Sequence, residues 1–128
     1  TVLETMAHAA PHLDDTRRRT VLGSFLFEGD AASKPTGVLS GGEKTRLALA
    51  CLVVSGGNVL LLDEPTNNLD PASREEVLGA LSRYEGAVVL VTHDPGAVMA
   101  LSPERVLILP DGDEDLWNEG YADLVDLA

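Results

Sequence analysis

The chain has 128 residues, 45% of them apolar, and a formal net charge of −12 from 21 acids against 9 Lys and Arg. That length fits one domain or part of a larger one, and the apolar share excludes wholesale disorder. The acidic balance repels phosphate backbones, which argues against this segment as the main contact with nucleic acid.

The first third reads as helical. Val2 to Ala10 is expected as a short helix stopped by Pro11. Asp14 or Asp15 can cap a second helix, with Val21, Leu22, Phe25 and Leu26 forming its apolar stripe. Arg17-Arg18-Arg19, the one basic cluster, reads as a solvated helix face. Residues 31–38 form a loop containing Pro and Gly. Ser40-Gly41-Gly42-Glu43 then matches a capping box, which opens a helix over about residues 41–54 with Leu47, Cys51 and Val54 on one face. The apolar run over residues 47–54 is far shorter than the roughly 20 residues of a membrane helix. One cysteine, Cys51, allows no internal disulfide and suits a reducing cytoplasm.

Val59-Leu60-Leu61-Leu62, all apolar and followed by two carboxylates, predicts a strand buried on both faces. Asp70-Pro71 is an N-cap with proline at the first helical position, opening a helix to about Tyr84. Val88 to Val91 is a second buried strand, Pro95 to Leu101 a short helix, and Val106 to Leu109 a third strand. Helices followed by strand, helix, strand, helix and strand imply an α/β fold, a parallel sheet with an α-helical portion ahead of it. The acids concentrate from Glu104 onward, and Ala128 is expected to be a natural C-terminus.

In an open parallel sheet, ligands bind beyond the carboxyl ends of the strands. Asp63, Glu64 and His93 fall there. An acidic pair can hold a hydrated Mg²⁺ through one carboxylate and orient a water through the other. Phosphoryl transfer asks for little beyond positioning and charge neutralisation, and His93 can donate to a phosphoryl oxygen. The two glycines after Ser40 let an anion approach backbone amides at the positive end of a helix. Each signal alone has a plainer explanation: a turn, a satisfied polar residue or a capped helix. His8 and His12 are separated by Pro11 and lack further ligands for zinc. Asp111, Asp113 and Asp115 miss the spacing of a calcium loop and read as a solvated turn.

The combination is more specific. Leu39-Ser40-Gly41-Gly42-Glu43, then Leu60-Leu61-Leu62-Asp63-Glu64-Pro65-Thr66-Asn67-Asn68-Leu69-Asp70, then Val91-Thr92-His93-Asp94, closely resembles the nucleotide-binding domain of ATP-binding-cassette (ABC) proteins. The resemblance covers almost the whole chain. It implies a partial P-loop NTPase fold, in which Ser40, Gly41, Gly42 and Glu43 form the signature that contacts ATP held by an opposite cassette. It likewise implies Asp63 as the Walker B aspartate on Mg²⁺ through water, Glu64 as the general base, Asp70 in the loop across the dimer seam, and His93 as the switch histidine. Residues 1–57 would be the helical signature part, 58–110 the part from Walker B to the switch histidine, and 111–128 an acidic C-terminal tail.

No G-x-x-x-x-G-K-[ST] loop occurs in the 128 residues. The Walker A loop and its strand, which would separate the second and third strands, are expected to lie before Thr1. The chain alone is expected to be inactive, and its sheet to reclose, pair with another chain, or be marginally stable.

Glu43-Lys44-Thr45-Arg46, Asn67-Asn68, and Trp117 with Tyr121 near the end resemble the ABC-F class in particular. Pro95-Gly96-Ala97-Val98 departs from the Arg, aromatic, Phe-Leu run common there. Membership would imply a cytoplasmic ATPase without membrane insertion, partnered by a second cassette and associated with the ribosome in translation or antibiotic resistance. The alternatives are a fragment of an ABC transporter's nucleotide-binding domain and a non-catalytic interaction module.

Overall fold

The computed structural model describes residues 1–127, so Ala128, the expected natural terminus, lies outside the described residues. In chain order the elements are α1 (Val2–Ala9), α2 (Asp15–Ser24), 3₁₀ turns at Gly29–Ser33 and Thr36–Val38, and α3 (Gly41–Val54). They continue with β1 (Val59–Asp63), α4 (Pro71–Ser82), β2 (Ala87–Val91), α5 (Pro95–Leu101), β3 (Arg105–Ile108) and β4 (Asp113–Leu116). A 3₁₀ turn at Glu119–Tyr121 leads into α6 (Ala122–Leu127).

Helices α1 to α3 bury one cluster. Val2, Met6 and Ala10, four residues apart and so on one helical face, are fully enclosed together with Leu22, Phe25 and Phe27. Each of the larger side chains among them, removed from water, contributes roughly 1.5–3 kcal/mol. The chain leaves α2 at Ser24, two residues short of the expected stripe, because Leu26 takes a left-handed turn at φ 66° that sends Phe27 back into the core. The basic cluster is not wholly solvated. Arg17 and Arg19 face water, but Arg18 donates to the carbonyls of Ala10 and Pro11 and pairs with Asp15 at 2.8 Å. A guanidinium thereby covers carbonyls that α1 leaves open at its C-terminal end.

Strands β1 and β2 pair in parallel, Val59 with Ala87 through Asp63 with Val91. Leu60 and Leu62 point into the core against α3 and α4, each 4% exposed. The expected burial on both faces is corrected here: Leu61 is 76% exposed, and Val59, Val89 and Val91 are also open. Among the described residues nothing packs over that face, so the continuous apolar run reports a second layer that these residues do not supply.

The third strand is corrected as well. β3 does not join the parallel sheet; it pairs antiparallel with β4, Arg105 opposite Leu116 and Ile108 opposite Asp113. Gly112, at φ 78°, reverses the chain, and its amide donates to the Ile108 carbonyl at 2.8 Å. The acidic run therefore turns only at Asp111-Gly112, and Asp113 and Asp115 sit on a strand. The Tyr121 hydroxyl donates to Asp115 at 2.7 Å, and the Trp117 and Tyr121 rings lie 6.1 Å apart.

Candidate functional site

Helix α3 begins as its sequence predicts. Ser40 is its N-cap, with Oγ accepting from the Glu43 amide at 3.2 Å while Glu43 Oε2 accepts from the Ser40 amide at 3.0 Å. Lys34 Nζ holds the other Glu43 oxygen at 2.9 Å. The Lys34 hydrogen bond first, and the Ser40 amide next, keep the Glu43 carboxyl below its ordinary range. Ser40 and Gly41 are exposed, and no atom lies near the space a Gly41 side chain would take. Gly42 differs: a Cβ there would meet the Asn68 carbonyl oxygen at 3.2 Å. The start of α3 thus rests on the turn that follows β1, where a Cβ at Gly42 would press the Asn68 carbonyl and force a small shift.

That turn ends at Asp70, whose Oδ2 accepts from the Ser73 amide at 3.3 Å and caps α4, with Pro71 at its first position. Hydrogen bonds from the Ser73 hydroxyl and amide lower the Asp70 pKa. Arg46, one turn into α3, donates to the Phe25 and Leu26 carbonyls and lies 5.0 Å over the Phe27 ring. It fastens the signature-like helix to the left-handed turn at Leu26.

The second group gathers at the carboxyl ends of β1 and β2. Asp63 is exposed at the last position of β1, opposite Val91. Glu64 adopts φ 46°, a left-handed backbone unusual for a residue with a side chain. Its amide donates to the Val91 carbonyl at 2.8 Å, extending the sheet's bonding one residue past the strand. Its carboxylate turns toward the end of β2: Oε1 lies 2.6 Å from His93 Nδ1 and accepts from the His93 amide at 3.2 Å. Oε2 accepts from the Thr92 hydroxyl at 3.4 Å.

The structure therefore brings Glu64 and His93 together, with Asp63 next to Glu64 in the chain. Ser40 and Glu43 bond each other, and no hydrogen bond joins them to Asp63, Glu64 or His93 among the described residues. No cluster of three or more His, Cys, Asp or Glu suited to a metal occurs among the described residues. A single exposed carboxylate such as Asp63 nevertheless fits Mg²⁺, which keeps several waters and takes its remaining ligands from substrate phosphates.

Residues 3–67 match the family described as "ABC transporter", a span that includes both the Ser40–Glu43 cap and the Asp63-Glu64 pair. The chain belongs to the ABC family. It is 41% identical, over 98% of its length, to YdiF of Bacillus subtilis, whose name reads "Putative ATP-binding protein". It is 37% identical, over 95% of its length, to YheS of Escherichia coli K12, named a probable ATP-binding protein. It is 38% identical, over 88% of its length, to "ABC transporter F family member 5" of Arabidopsis thaliana, so the likeness extends to the F class. The chain spans 21%, 20% and 16% of those proteins, about a fifth of their length. No helix among the described residues of this ABC segment is long and apolar enough to cross a membrane.

Four residues beside the pair were not singled out from the sequence: Thr66, Arg74, Thr92 and Asp94. Asp94 Oδ1 accepts from the Gly96 amide at 2.9 Å and caps α5, while Oδ2 lies 3.3 Å from both Thr66 Oγ1 and Arg74 Nη1. A signal was available, since Asp94-Pro95 repeats the cap-and-proline pattern of Asp70-Pro71. The bonds to Thr66 and Arg74 span 28 and 20 residues, and no local pattern announces them.

Proposed function

We propose that this chain is the C-terminal portion of an ABC-F-type ATPase cassette that binds and hydrolyses ATP at a dimer seam when complete. The carrying observation is the 2.6 Å contact between Glu64 and His93 beyond the paired ends of two parallel strands. On this reading Asp63 is the Walker B carboxylate, holding Mg²⁺ through water, and the ion supplies charge neutralisation at the phosphates. Glu64 takes a proton from the attacking water, and His93, when its imidazole is doubly protonated, donates to the γ-phosphate through Nε2, the ring nitrogen that faces away from Glu64.

Ser40, Gly41, Gly42 and Glu43 act on ATP held by a second cassette. The Ser40 hydroxyl already accepts from the Glu43 amide, which leaves its proton to donate outward. The amides at the start of α3 add positive potential. Asp70 fixes the loop at the seam through its cap on α4. Residues 1–57, 58–110 and 111–128 remain the working division into signature part, Walker B to switch-histidine part, and C-terminal segment.

The Walker A loop and its strand belong to the rest of the cassette, which also covers the open face of β1 and β2. A cytoplasmic, ribosome-associated role in translation or antibiotic resistance is proposed for the whole protein, with its RNA contacts outside this acidic segment. The test compares ATP hydrolysis by the intact protein, its Glu64→Gln variant and the 128-residue chain. Turnover is expected only in the first. Hydrolysis by the chain alone that Glu64→Gln abolishes overturns the division of labour.

A further inference from the structure

Glu64 and His93 stand on different loops, and the two His93 contacts to Oε1 do not by themselves explain why the Glu64 carboxylate keeps one orientation. Its Oε2 accepts from the Thr92 hydroxyl, and that hydroxyl is in turn oriented from elsewhere. The Asp94 amide donates to Thr92 Oγ1 at 2.9 Å. A hydroxyl carries one proton. With its oxygen accepting from Asp94, the Thr92 proton is free for Glu64 Oε2, 3.4 Å away.

Asp94 is itself fixed from three directions. The Gly96 amide binds Oδ1 at 2.9 Å; the Thr66 hydroxyl and the Arg74 guanidinium each bind Oδ2 at 3.3 Å. Thr66 is 6% exposed and lies two residues beyond Glu64, while Arg74 stands on α4. The Asp94 side chain is 17% exposed, so its pairing with Arg74 is shielded from water on one side. One carboxylate thereby joins the loop after β1, the first turn of α4 and the loop after β2.

We propose that Asp94 is a positioning residue for the Glu64–His93 pair: its carboxylate ties Thr66, Arg74 and the α5 cap together and so holds in place the backbone amide that binds Thr92. Without the carboxylate, the loops after β1 and β2 lose their shared anchor, and the residue 94 amide, which remains, is no longer held where it keeps the Thr92 hydroxyl on Glu64. Its kinetic consequence rests on the ATPase reading above; its structural consequence does not.

The experiment uses the intact protein and the variants Asp94→Ala, Arg74→Ala, Thr92→Val and Thr92→Ser. The first readout is kcat and KM for ATP. Asp94→Ala and Thr92→Val are expected to lower kcat about tenfold with KM within about twofold, the size of one lost charge-assisted or buried hydrogen bond. Arg74→Ala, which leaves the α5 cap intact, is expected to lower kcat about threefold. Thr92→Ser keeps the hydroxyl and is expected to restore most of the rate.

The second readout is the ¹⁵N spectrum of histidine at alkaline pH, with His93 assigned by its loss in His93→Asn. Wild type is expected to show the proton fixed on Nδ1, and Asp94→Ala a mixture of both tautomers. Wild-type kcat and an unchanged His93 signal in Asp94→Ala overturn the proposal. If that variant does not fold, wild-type kcat in both Thr92→Val and Arg74→Ala overturns it equally. Absence of ATP turnover in the wild type defeats the functional reading alone, and the His93 signal then decides the role of Asp94.

Discussion

Glu64 Oε1 lies 2.6 Å from His93 Nδ1, although 29 residues separate the two in the chain. If Glu64 is ionised, Nδ1 carries the proton. Nε2 then donates to a phosphate only when the imidazole is doubly protonated or when Glu64 lets go. On the proposed reading, the pair works as a unit whose two members share one proton inventory.

Glu64→Gln and His93→Ala are each expected to lower kcat of the intact protein by about 100-fold, within the range of a lost acid–base group. The double variant is expected to be little worse than either single one, because residues that act as a unit are not additive. Steady-state turnover of the three variants checks this. Multiplying effects in the double variant would mean that the two side chains act independently.

Gly41 and Gly42 are expected to respond differently to alanine. At Gly41 the side chain enters open space, so Gly41→Ala gains helix propensity, about 0.5–1 kcal/mol. At Gly42 the new Cβ meets the Asn68 carbonyl oxygen at 3.2 Å, and that gain is expected to vanish. Denaturant unfolding of the 128-residue chain measures both.

Glu43 ties α3 to Lys34, and its carboxyl is held below the ordinary 4.5 by that contact and by the Ser40 amide. A folded-state pKa below the unfolded one adds stability that is full above 4.5 and is lost as the pH falls through the lower folded value. Thermal melting of the chain should therefore separate wild type from Glu43→Gln at about pH 7, and the gap should close toward about pH 3. A gap that widens in acid would contradict the sign.

The open sheet face offers a test of what surrounds this segment. Leu61 is 76% exposed, so Leu61→Lys is expected to change the stability of the 128-residue chain by less than about 0.5 kcal/mol. In the intact protein, where the proposed remainder of the cassette covers that face, the same change is expected to bury a charge and lower the melting temperature steeply. Equal tolerance in both settings would leave the face uncovered.

Local chemistry made much of this fold readable. Ser40 with Glu43, and Asp70 with Pro71, set helix starts that the structure reproduces at Gly41 and Pro71, because a cap depends on neighbours three residues away. Apolar runs located β1 and β2, yet they also implied burial of Leu61 and Val89 that these residues do not provide. The pairing of β3 with β4 hid behind the acids of residues 111–115, where turn chemistry outweighed a weak strand pattern. At the site, Glu64 and His93 were each legible as residues after a strand. Their contact, and the ties of Asp94 to Thr66 and Arg74, arise from tertiary pairing and had no local trace.

Ser40 caps α3 by receiving a proton contact, and what it keeps in hand is a surplus donor. An aspartate at that position would end the helix as firmly, since its oxygen accepts equally well. It would also turn the same atom from a giver into a repeller of phosphate. The helix cannot distinguish the two residues, but an incoming anion can. On the proposed reading, Ser40→Asp is therefore expected to keep the cap and weaken phosphate recognition, so the demands of architecture and function part at this one side chain.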